Sequence, residues 1–95
     1  MKIRLVVWKS RFVEKIRFKH AVSIAEVEQA LCGRVHVLKA GRGHVRGEDL
    51  YVAFGRTTAG RALVVLFVRK PGEAVMPISA RDMMPTERRY YETHK

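Results

Sequence analysis

Four short apolar segments follow one another in the second half of the chain, and they constrain the fold more than any other feature. Each segment is long enough for one strand, and together they cover residues 34–40, 50–56, 61–69 and 74–81. Parallel neighbours need a crossover of about a dozen residues or more, and none of these connections is that long. The spacing therefore predicts a four-stranded antiparallel meander.

Turn residues and one proline refine this prediction. Gly60 and the Pro71-Gly72 pair fall in the two later connections, where glycine supplies unusual φ values and proline a fixed one. Pro77 falls inside the last segment and cannot donate a backbone hydrogen bond to a neighbouring strand. We therefore expect a β-bulge at Pro77, or a position whose backbone nitrogen faces outward.

Helical spacing dominates the part of the chain before the meander. Residues 2–8 predict a first strand, and residues 10–20 predict a first helix with Ser10 as its N-cap. The apolar face of that helix carries Phe12, Val13, Ile16 and His20.

A capping box predicts the start of a second helix. The Ser23 hydroxyl can accept a hydrogen bond from the N–H of Glu26, and the Glu26 carboxylate can accept one from the N–H of Ser23. Val22 and Val27 form a hydrophobic staple around this cap, and Gly33 ends the helix. The predicted core stripe consists of Ile24, Val27 and Leu31.

A third helix is predicted over residues 85–94, with Pro85 at its first position and Glu87 in its first turn. The first two helices must cover one face of the sheet to bury their apolar stripes, which leaves the opposite face or one edge open. The sequence thus predicts an α+β fold in a single domain, 1–95.

The composition argues against disordered and membrane-spanning classes. Of the 95 residues, 47% are hydrophobic and 29% are charged, as in an ordinary soluble domain. The longest apolar run, 62–68, is far shorter than the roughly 18 residues of a membrane helix. The first residues lack the apolar stretch of a signal peptide, and the single cysteine, Cys32, cannot form an internal disulfide. We therefore expect a cytoplasmic protein with no membrane partner.

The net charge indicates the class of partner. Nineteen Lys and Arg against nine Asp and Glu give a net charge of +10. A charge of this sign and size favours a polyanion, which can be RNA, DNA, an anionic membrane surface or an acidic protein. The alternative is a basic surface that serves only solubility.

No motif in the sequence predicts a metal site or a cofactor. Cys32 and His36 are four residues apart, but no second pair completes the four ligands of structural zinc. The loop 41–47 contains a G-x-G, but a strand follows it, whereas the dinucleotide fingerprint precedes a helix. Its basic residues can still touch a nucleic-acid backbone, and they are Arg42, His44 and Arg46.

Arginines gather at the predicted strand ends. Arg56 ends the third strand, Arg61 begins the fourth and Arg81 ends the fifth, so an antiparallel meander brings them to the same edge. Arg88 and Arg89 follow in the last helix. Planar guanidinium groups suit the oxygens of a phosphate, so we expect a phosphate-binding cluster. Solvated arginines without a function are the alternative.

A histidine and a tyrosine pair add chemistry suited to RNA. His20 lies at a predicted helix end beside Lys19, and an imidazole can act as acid or base at neutral pH. A histidine that is only packed, or favoured there by the helix dipole, is the alternative. Of Tyr90 and Tyr91, we expect one in the core, while the other can stack on a base or supply a hydroxyl.

A series of short motifs resembles the BrnT family of type II toxins, which are small ribonucleases with a RelE-like fold. In chain order the motifs are Trp8, Lys19-His20-Ala21-Val22-Ser23, Ala53-Phe54-Gly55-Arg56-Thr57, Gly60-Arg61, Ile78-Ser79-Ala80-Arg81 and Glu87-Arg88-Arg89-Tyr90-Tyr91-Glu92. The family often has glycine where this chain has Ala21, and usually has Ser or Thr where it has Met84; the basic loop 41–47 also differs from typical members.

The resemblance implies a RelE-like fold of one strand, two helices, a four-stranded meander and a C-terminal helix. It also implies metal-independent RNA cleavage that shuts down translation. The implied protein partner is a cognate antitoxin, either acidic or of the ribbon-helix-helix DNA-binding type.

We therefore expect an endoribonuclease toxin. The predicted catalytic residues are His20 as base or acid, with Arg56 and Arg81 stabilising charge in the transition state. The predicted RNA-binding residues are Lys19, Arg61, Arg88 and Tyr91. The alternatives are a non-catalytic RNA- or DNA-binding module and a basic domain that binds only protein.

The antitoxin is expected to present carboxylates to the basic face of the toxin. A basic stripe on the first helix, with the strand-end arginines, should lie in or beside this interface, and it consists of Arg11, Lys15 and Lys19. Apolar contacts must accompany these charges, because rim charges set the association rate more than the affinity.

Overall fold

A computed structural model describes residues 1–42, of which Arg42 by its backbone only, and residues 48–95. The elements are β1 (Leu5–Val6), α1 (Ser10–His20), α2 (Ile24–Cys32), β2 (His36–Arg42), β3 (Asp49–Arg56), β4 (Ala62–Lys70), β5 (Ala74–Asp82) and α3 (Pro85–His94). This is the predicted order of elements. Within the described residues, no helix is long and apolar enough to cross a membrane.

One sheet organises these elements, with its five strands in the order β1-β5-β4-β3-β2. β2, β3, β4 and β5 pair antiparallel with their sequence neighbours, which confirms the predicted meander. β1 pairs parallel with β5, where Leu5 lies opposite Ala74 and Val6 opposite Val75. β1 has only two residues and is shorter than the predicted strand over 2–8. The fold as a whole is the predicted α+β fold.

The larger core lies between the sheet and the first two helices. The sheet contributes Ala53, Leu63, Val65, Phe67, Val75 and Ala80. The helices α1 and α2 and the turn between them contribute Ile16, Val22, Val27, Ala30 and Leu31. The helix α2 passes very close to β3 at Gly55. A Cβ atom added to Gly55 would lie 2.3 Å from the carbonyl oxygen of Ala30, so only a residue without a side chain fits there.

A smaller core lies on the other face of the same strands, because successive side chains of a strand point to opposite faces. Its buried members are Phe54, Ala62, Val64, Met83 and Tyr91, and α3 covers them. The face opposite α1 and α2 is therefore partly covered rather than open. The open edges of the sheet are β1 and β2.

Pro77 lies at a β-bulge, as predicted. Leu66 pairs with Ser79, whereas its neighbour Phe67 pairs with Pro77, so Ile78 is the extra residue of β5. The irregular ladder accommodates the backbone nitrogen of Pro77, which has no hydrogen to donate.

The start of α2 confirms the predicted capping box. The Ser23 hydroxyl accepts from the Glu26 N–H at 3.1 Å, and the Glu26 carboxylate accepts from the Ser23 N–H at 3.0 Å. The predicted core stripe is wrong at Ile24, which is 38% exposed. The buried stripe is instead Val27, Ala30 and Leu31, the i, i+3, i+4 spacing of one helix face.

The start of α1 differs from the prediction. Ser10 is the first residue inside the helix, and Lys9 occupies the N-cap position without a side-chain hydrogen bond. The start of α3 follows the prediction more closely. Pro85 is its first residue, and the Glu87 carboxylate accepts a hydrogen bond from the Met84 N–H at 2.7 Å.

A left-handed residue separates α1 from α2. Ala21 has φ 53° and ψ 42°, and its N–H bonds to the carbonyl of Arg17 at 3.0 Å. Glycine adopts this conformation at the lowest cost, which makes Ala21 an unusual choice at a helix C-cap. The turn brings the last carbonyls of α1 to the edge of the sheet where β4 begins.

Candidate nucleic-acid interface

Arg61 contacts three elements, α1, α2 and β5, at the edge of the sheet where β4 begins. Its guanidinium donates to both carboxylate oxygens of Asp82, with Nε–Oδ1 at 2.7 Å and Nη2–Oδ2 at 3.0 Å. It also donates to Glu26 Oε2 at 3.1 Å. Two carbonyls at the end of α1 complete its contacts, those of Ala21 at 2.8 Å and His20 at 3.2 Å. Arg61 thus fixes the end of α1, the first turn of α2 and the end of β5 together.

Asp82 is the carboxylate around which several positive groups gather. The hydrogen bond from Arg61 holds the pKa of Asp82 below its usual value, and the charges of Arg61, Arg88 and His20 lower it further. Asp82 in turn raises the pKa of Arg61, so the pair stays ionised at neutral pH. The structure therefore brings three predicted site residues, His20, Arg61 and Arg88, around a carboxylate that the sequence analysis did not single out.

A shallow cleft lies beside this network. Its volume is about 220 Å³, and it is lined by Arg17, Ala21, Val22, Ser23 and Glu26. The pKa of Glu26 is lowered, chiefly by the hydrogen bond from the backbone of Ser23 and then by Arg61. The cleft therefore has a charged wall that stays ionised at neutral pH.

The three strand-end arginines share an edge of the sheet but not a face, which corrects the expected cluster. Arg56 pairs with Ala62 across β3 and β4, and Arg81 pairs with Val64 across β4 and β5, so both lie on the α3 face. Arg61 precedes Ala62 by one residue and points to the opposite face, where it meets α1 and α2. The position of a residue at a strand end predicts which edge of the sheet it lies at. The alternation of side chains along the strand determines which face of the sheet it points to.

Arg56 and Arg81 each bind a carboxylate of α3. Arg81 forms a bidentate pair with Glu87 at 2.8 and 2.9 Å, which lowers the pKa of Glu87. Arg56 donates to Glu92 at 2.7 Å and to the carbonyl of Gly60 at 3.1 Å. A phosphate at either arginine would have to compete with a carboxylate already in place.

Lys19 and Arg88 are placed differently from the three strand-end arginines. Both side chains are exposed, and neither takes part in the ion pairs found among residues 1–42 and 48–95. Lys19 directly precedes His20 in α1. The charge of Arg88 contributes to the lowered pKa of Asp82. Their positive charge is available to a phosphate near the end of α1.

Tyr91 is the core member of the tyrosine pair, so its predicted role as an RNA-binding residue is corrected. It is 2% exposed, and its hydroxyl donates to the carbonyl of Arg34 at 2.5 Å. The guanidinium of Arg56 and the ammonium of Lys95 each lie 5.9 Å from its ring centroid. A buried ring cannot stack on a nucleobase. Tyr90 is the half-buried member of the pair.

Tyr90 belongs to a cluster that the sequence analysis missed. Its hydroxyl lies 2.9 Å from Nε2 of His36, and its ring stacks on that of His94 with 4.0 Å between centroids. Phe54 packs against the same tyrosine. One signal was available in the sequence: Tyr90 and His94 are four residues apart and therefore share a helix face. The contact with His36, 54 residues away, had no local signal.

Two further sequence predictions concern metals and the basic loop. Among the residues that the structure describes, no group of three or more His, Cys, Asp or Glu could hold a metal ion. The predicted backbone contacts of the loop 41–47 depend on side chains outside the described residues, namely those of Arg42, His44 and Arg46.

No family model matches the chain, and no curated protein matches it. The resemblance to BrnT toxins thus rests on the motifs of the sequence alone. Three of these motifs meet at the candidate site, namely those that contain His20, Arg61 and Arg88.

Proposed function

We propose that the chain is a metal-independent endoribonuclease of the toxin type, with His20 as the group that transfers protons. The observation that carries this proposal is the placement of His20 at the end of α1, within the field of the ionised Asp82 and beside two exposed cations. The net charge of +10 supports a polyanionic substrate.

The chemistry requires no metal, because RNA carries its own nucleophile. His20 takes the proton of a 2′-hydroxyl, and the 2′-oxygen attacks the adjacent phosphorus while the bond from phosphorus to the 5′-oxygen breaks. The leaving 5′-oxygen takes up a proton from water, and His20 afterwards releases its own proton to solvent. The products are a 2′,3′-cyclic phosphate and a 5′-hydroxyl. An imidazole suits this step because it changes protonation near neutral pH.

The neighbours of His20 have distinct roles in this proposal. The ionised Asp82 stabilises the imidazolium that forms when His20 has accepted the proton. Arg61 is a positioning residue, because its hydrogen bonds to Asp82 and to the His20 carbonyl hold both residues in place. Lys19 and Arg88 bind the phosphates of the strand. Arg56 and Arg81 hold α3 against the sheet.

Incubation of the purified protein with RNA in excess chelator tests the proposal. Cleavage should persist in the wild type, and His20→Ala should abolish it while RNA affinity stays within about threefold, because phosphate contacts supply most of the affinity. Phe18→Ala, an exposed change two residues earlier on α1, is the matched control and should cleave normally. Cleavage that requires an added divalent metal, or that survives in His20→Ala, would contradict the proposed mechanism.

A non-catalytic RNA-binding module is the second candidate. It is favoured by the carboxylate partners of the strand-end arginines, since Arg56, Arg61 and Arg81 are each neutralised by a neighbour. This candidate gives RNA binding that weakens steeply with salt, with no cleavage in the wild type to lose. The same cleavage assay, combined with a binding titration at two salt concentrations, separates the two.

The toxin proposal includes a protein partner and a cellular location. The partner is an antitoxin whose carboxylates face the basic stripe of α1, and all three residues of this stripe, Arg11, Lys15 and Lys19, are exposed. A toxin that cuts RNA to stop translation acts in the cytoplasm.

A further inference from the structure

The end of α3 carries a short stack of rings. Tyr90 and His94 share a helix face, and their rings are nearly parallel, with an interplanar angle of 21° and 4.0 Å between centroids. Phe54, which is buried, packs on Tyr90 with 5.4 Å between centroids. The Phe54 ring is tilted by 55° to that of Tyr90, so the stack itself consists of Tyr90 and His94. Phe54 connects Tyr90 to the small core, and His94 is exposed.

The outer face of His94 is not covered by the third ring of the cluster. The centroid of His36 is 5.3 Å from that of Tyr90 and also 5.3 Å from that of His94. Equal distances place His36 beside the stack rather than on top of it. The face of His94 that points away from Tyr90 is therefore not blocked by His36.

Hydrogen bonds hold both rings of the stack in position. Nδ1 of His94 lies 2.7 Å from the carbonyl oxygen of Tyr90, and since a carbonyl only accepts, Nδ1 carries the hydrogen. Nε2 of His94 is then the acceptor nitrogen of the neutral ring. The Tyr90 hydroxyl is fixed by His36 at 2.9 Å. The exposed ring is thus a preorganised flat surface on which a second flat ring can stack with little further loss of side-chain freedom.

The charges around the stack favour a polyanion. Arg34 is exposed and lies beside the end of α3, because its carbonyl accepts the hydrogen bond of Tyr91. Arg89 is exposed one residue before Tyr90. The carboxylate of Glu92 is bound by Arg56 and Lys95. An exposed flat ring, with exposed arginines on the same helix and on the neighbouring segment of the chain, is a combination that suits unpaired nucleobases and their phosphates.

We propose that the outer face of His94 is a subsite for one nucleobase of single-stranded RNA. The identity of the strand as RNA rests on the proposed function, whereas the stacking itself rests on the ring geometry. A duplex is excluded from this subsite, because its bases are already stacked on one another. The subsite is distinct from the network around Asp82, which lies on the other face of the sheet.

The test uses a 2′-O-methyl oligoribonucleotide of about six residues with one 2-aminopurine, because this strand cannot be cleaved and stacking quenches its fluorescence. Addition of the wild-type protein should quench the probe. His94→Ala should weaken binding by about fivefold and reduce the quench, which corresponds to the loss of one aromatic contact to a base. His94→Phe keeps a flat ring without the nitrogens and should retain both the affinity and the quench.

Phe18→Ala is the matched control, since Phe18 is an aromatic residue 84% exposed on α1 and should bind the probe like the wild type. Equal losses in His94→Ala and His94→Phe would overturn the inference, because they would show that the imidazole nitrogens rather than stacking hold the strand. Unchanged binding in His94→Ala, or an equal loss in Phe18→Ala, would overturn it as well. Thermal melting of each variant confirms that the protein remains folded.

The binding test and the cleavage assay test separate proposals, so one proposal can be overturned while the other stands. Quenching that depends on the ring at position 94, without RNA cleavage by the wild type, leaves the subsite intact and overturns only the proposed enzyme. Cleavage that depends on His20, with quenching indifferent to position 94, supports the enzyme and overturns the subsite. A duplex that carries the same probe should give no quench, and quenching by the duplex would also overturn the subsite.

Discussion

The two faces of the sheet are held to their helices in different ways. On the face of α1 and α2, a large set of fully buried apolar side chains closes against the strands, and Gly55 lets the backbones of β3 and α2 approach closely. On the face of α3 the core is smaller, and two carboxylate–guanidinium pairs and a histidine–tyrosine bond supplement it. Both faces also have polar contacts, since Arg61 ties α1 and α2 to β5 at the rim of the large core. The faces differ in apolar burial, so polar contacts make up a larger share of what holds α3.

The difference shows where this fold leaves polar groups accessible. Both candidate histidines are the last residues of helices, His20 of α1 and His94 of α3, where a helix leaves the sheet and its final carbonyls need partners. His20 lies at the rim of the large core, and His94 at the rim of the small one. The buried side chains of the two cores stabilise the fold, whereas the two candidate histidines lie at the rims of these cores.

The largest expected effect compares two phenylalanines of neighbouring strands. Phe67 is 0% exposed in the large core, and Phe54 is 8% exposed in the small one. Phe67→Ala should lower the free energy of unfolding by about 4–5 kcal/mol and Phe54→Ala by about 3 kcal/mol, since the loss grows with the cavity that remains. Chemical unfolding measures both values.

Phe18→Ala serves as the reference for this pair, because the exposed Phe18 ring should change stability by no more than about 0.5 kcal/mol. A loss in Phe54→Ala that equals or exceeds the loss in Phe67→Ala would show that α3 is packed as firmly as the other two helices. The contrast between the faces would then be wrong.

The next effect tests the close approach of α2 to β3. Gly55→Ala places a Cβ 2.3 Å from the Ala30 carbonyl oxygen, so backbone must move, at a cost of about 1–3 kcal/mol. Gly33→Ala is the control, because there the nearest atom, the Gln29 carbonyl oxygen, is 3.6 Å away and φ is −87°. Thermal melting should show a clear loss for Gly55→Ala and little change for Gly33→Ala. Equal melting temperatures for Gly55→Ala and the wild type would mean that α2 can shift freely on the sheet.

The architecture could be predicted because it depends on local signals. Connection length determines the meander, the Ser23–Glu26 spacing determines the start of α2, and the missing donor of Pro77 explains the bulge. Each of these signals lies within a few residues of the feature it predicts. The predicted cap at Ser10 failed although it was also local, because a single residue type is a weaker signal than a reciprocal pair.

The candidate site could be predicted only in part, because many of its side-chain contacts join residues that are far apart in the sequence and meet only in the folded structure. The edge shared by Arg56, Arg61 and Arg81 follows from strand order, but their faces follow from register, which a sequence alone does not give. Asp82 was overlooked because its importance comes from Arg61, a partner 21 residues earlier in the chain. Which tyrosine is buried likewise depends on how α3 rotates on the sheet.

The smallest expected effect compares the ion pairs of the two faces. Asp82 has its pKa lowered chiefly by Arg61, and Glu87 chiefly by Arg81. A carboxylate whose pKa is lower in the folded state stabilises the fold above its unfolded pKa, near 4, and loses that contribution as pH falls toward the folded value. Arg61→Met should therefore cost about 1 kcal/mol at pH 7, because solvent screens these partly exposed groups. The cost should shrink below about pH 4.

Arg81→Met should behave in the same way with a smaller cost, because Arg81 binds one carboxylate whereas Arg61 binds those of Asp82 and Glu26. Unfolding by denaturant at pH 7 and at about pH 3 measures both costs, and Arg17→Met on the exposed side of α1 should show neither. Part of the Arg61 cost should persist in acid, since its hydrogen bonds to two carbonyls of α1 do not titrate. A cost that is the same at both pH values would show that these carbonyl bonds, rather than the carboxylates, are what Arg61 contributes to the large-core face.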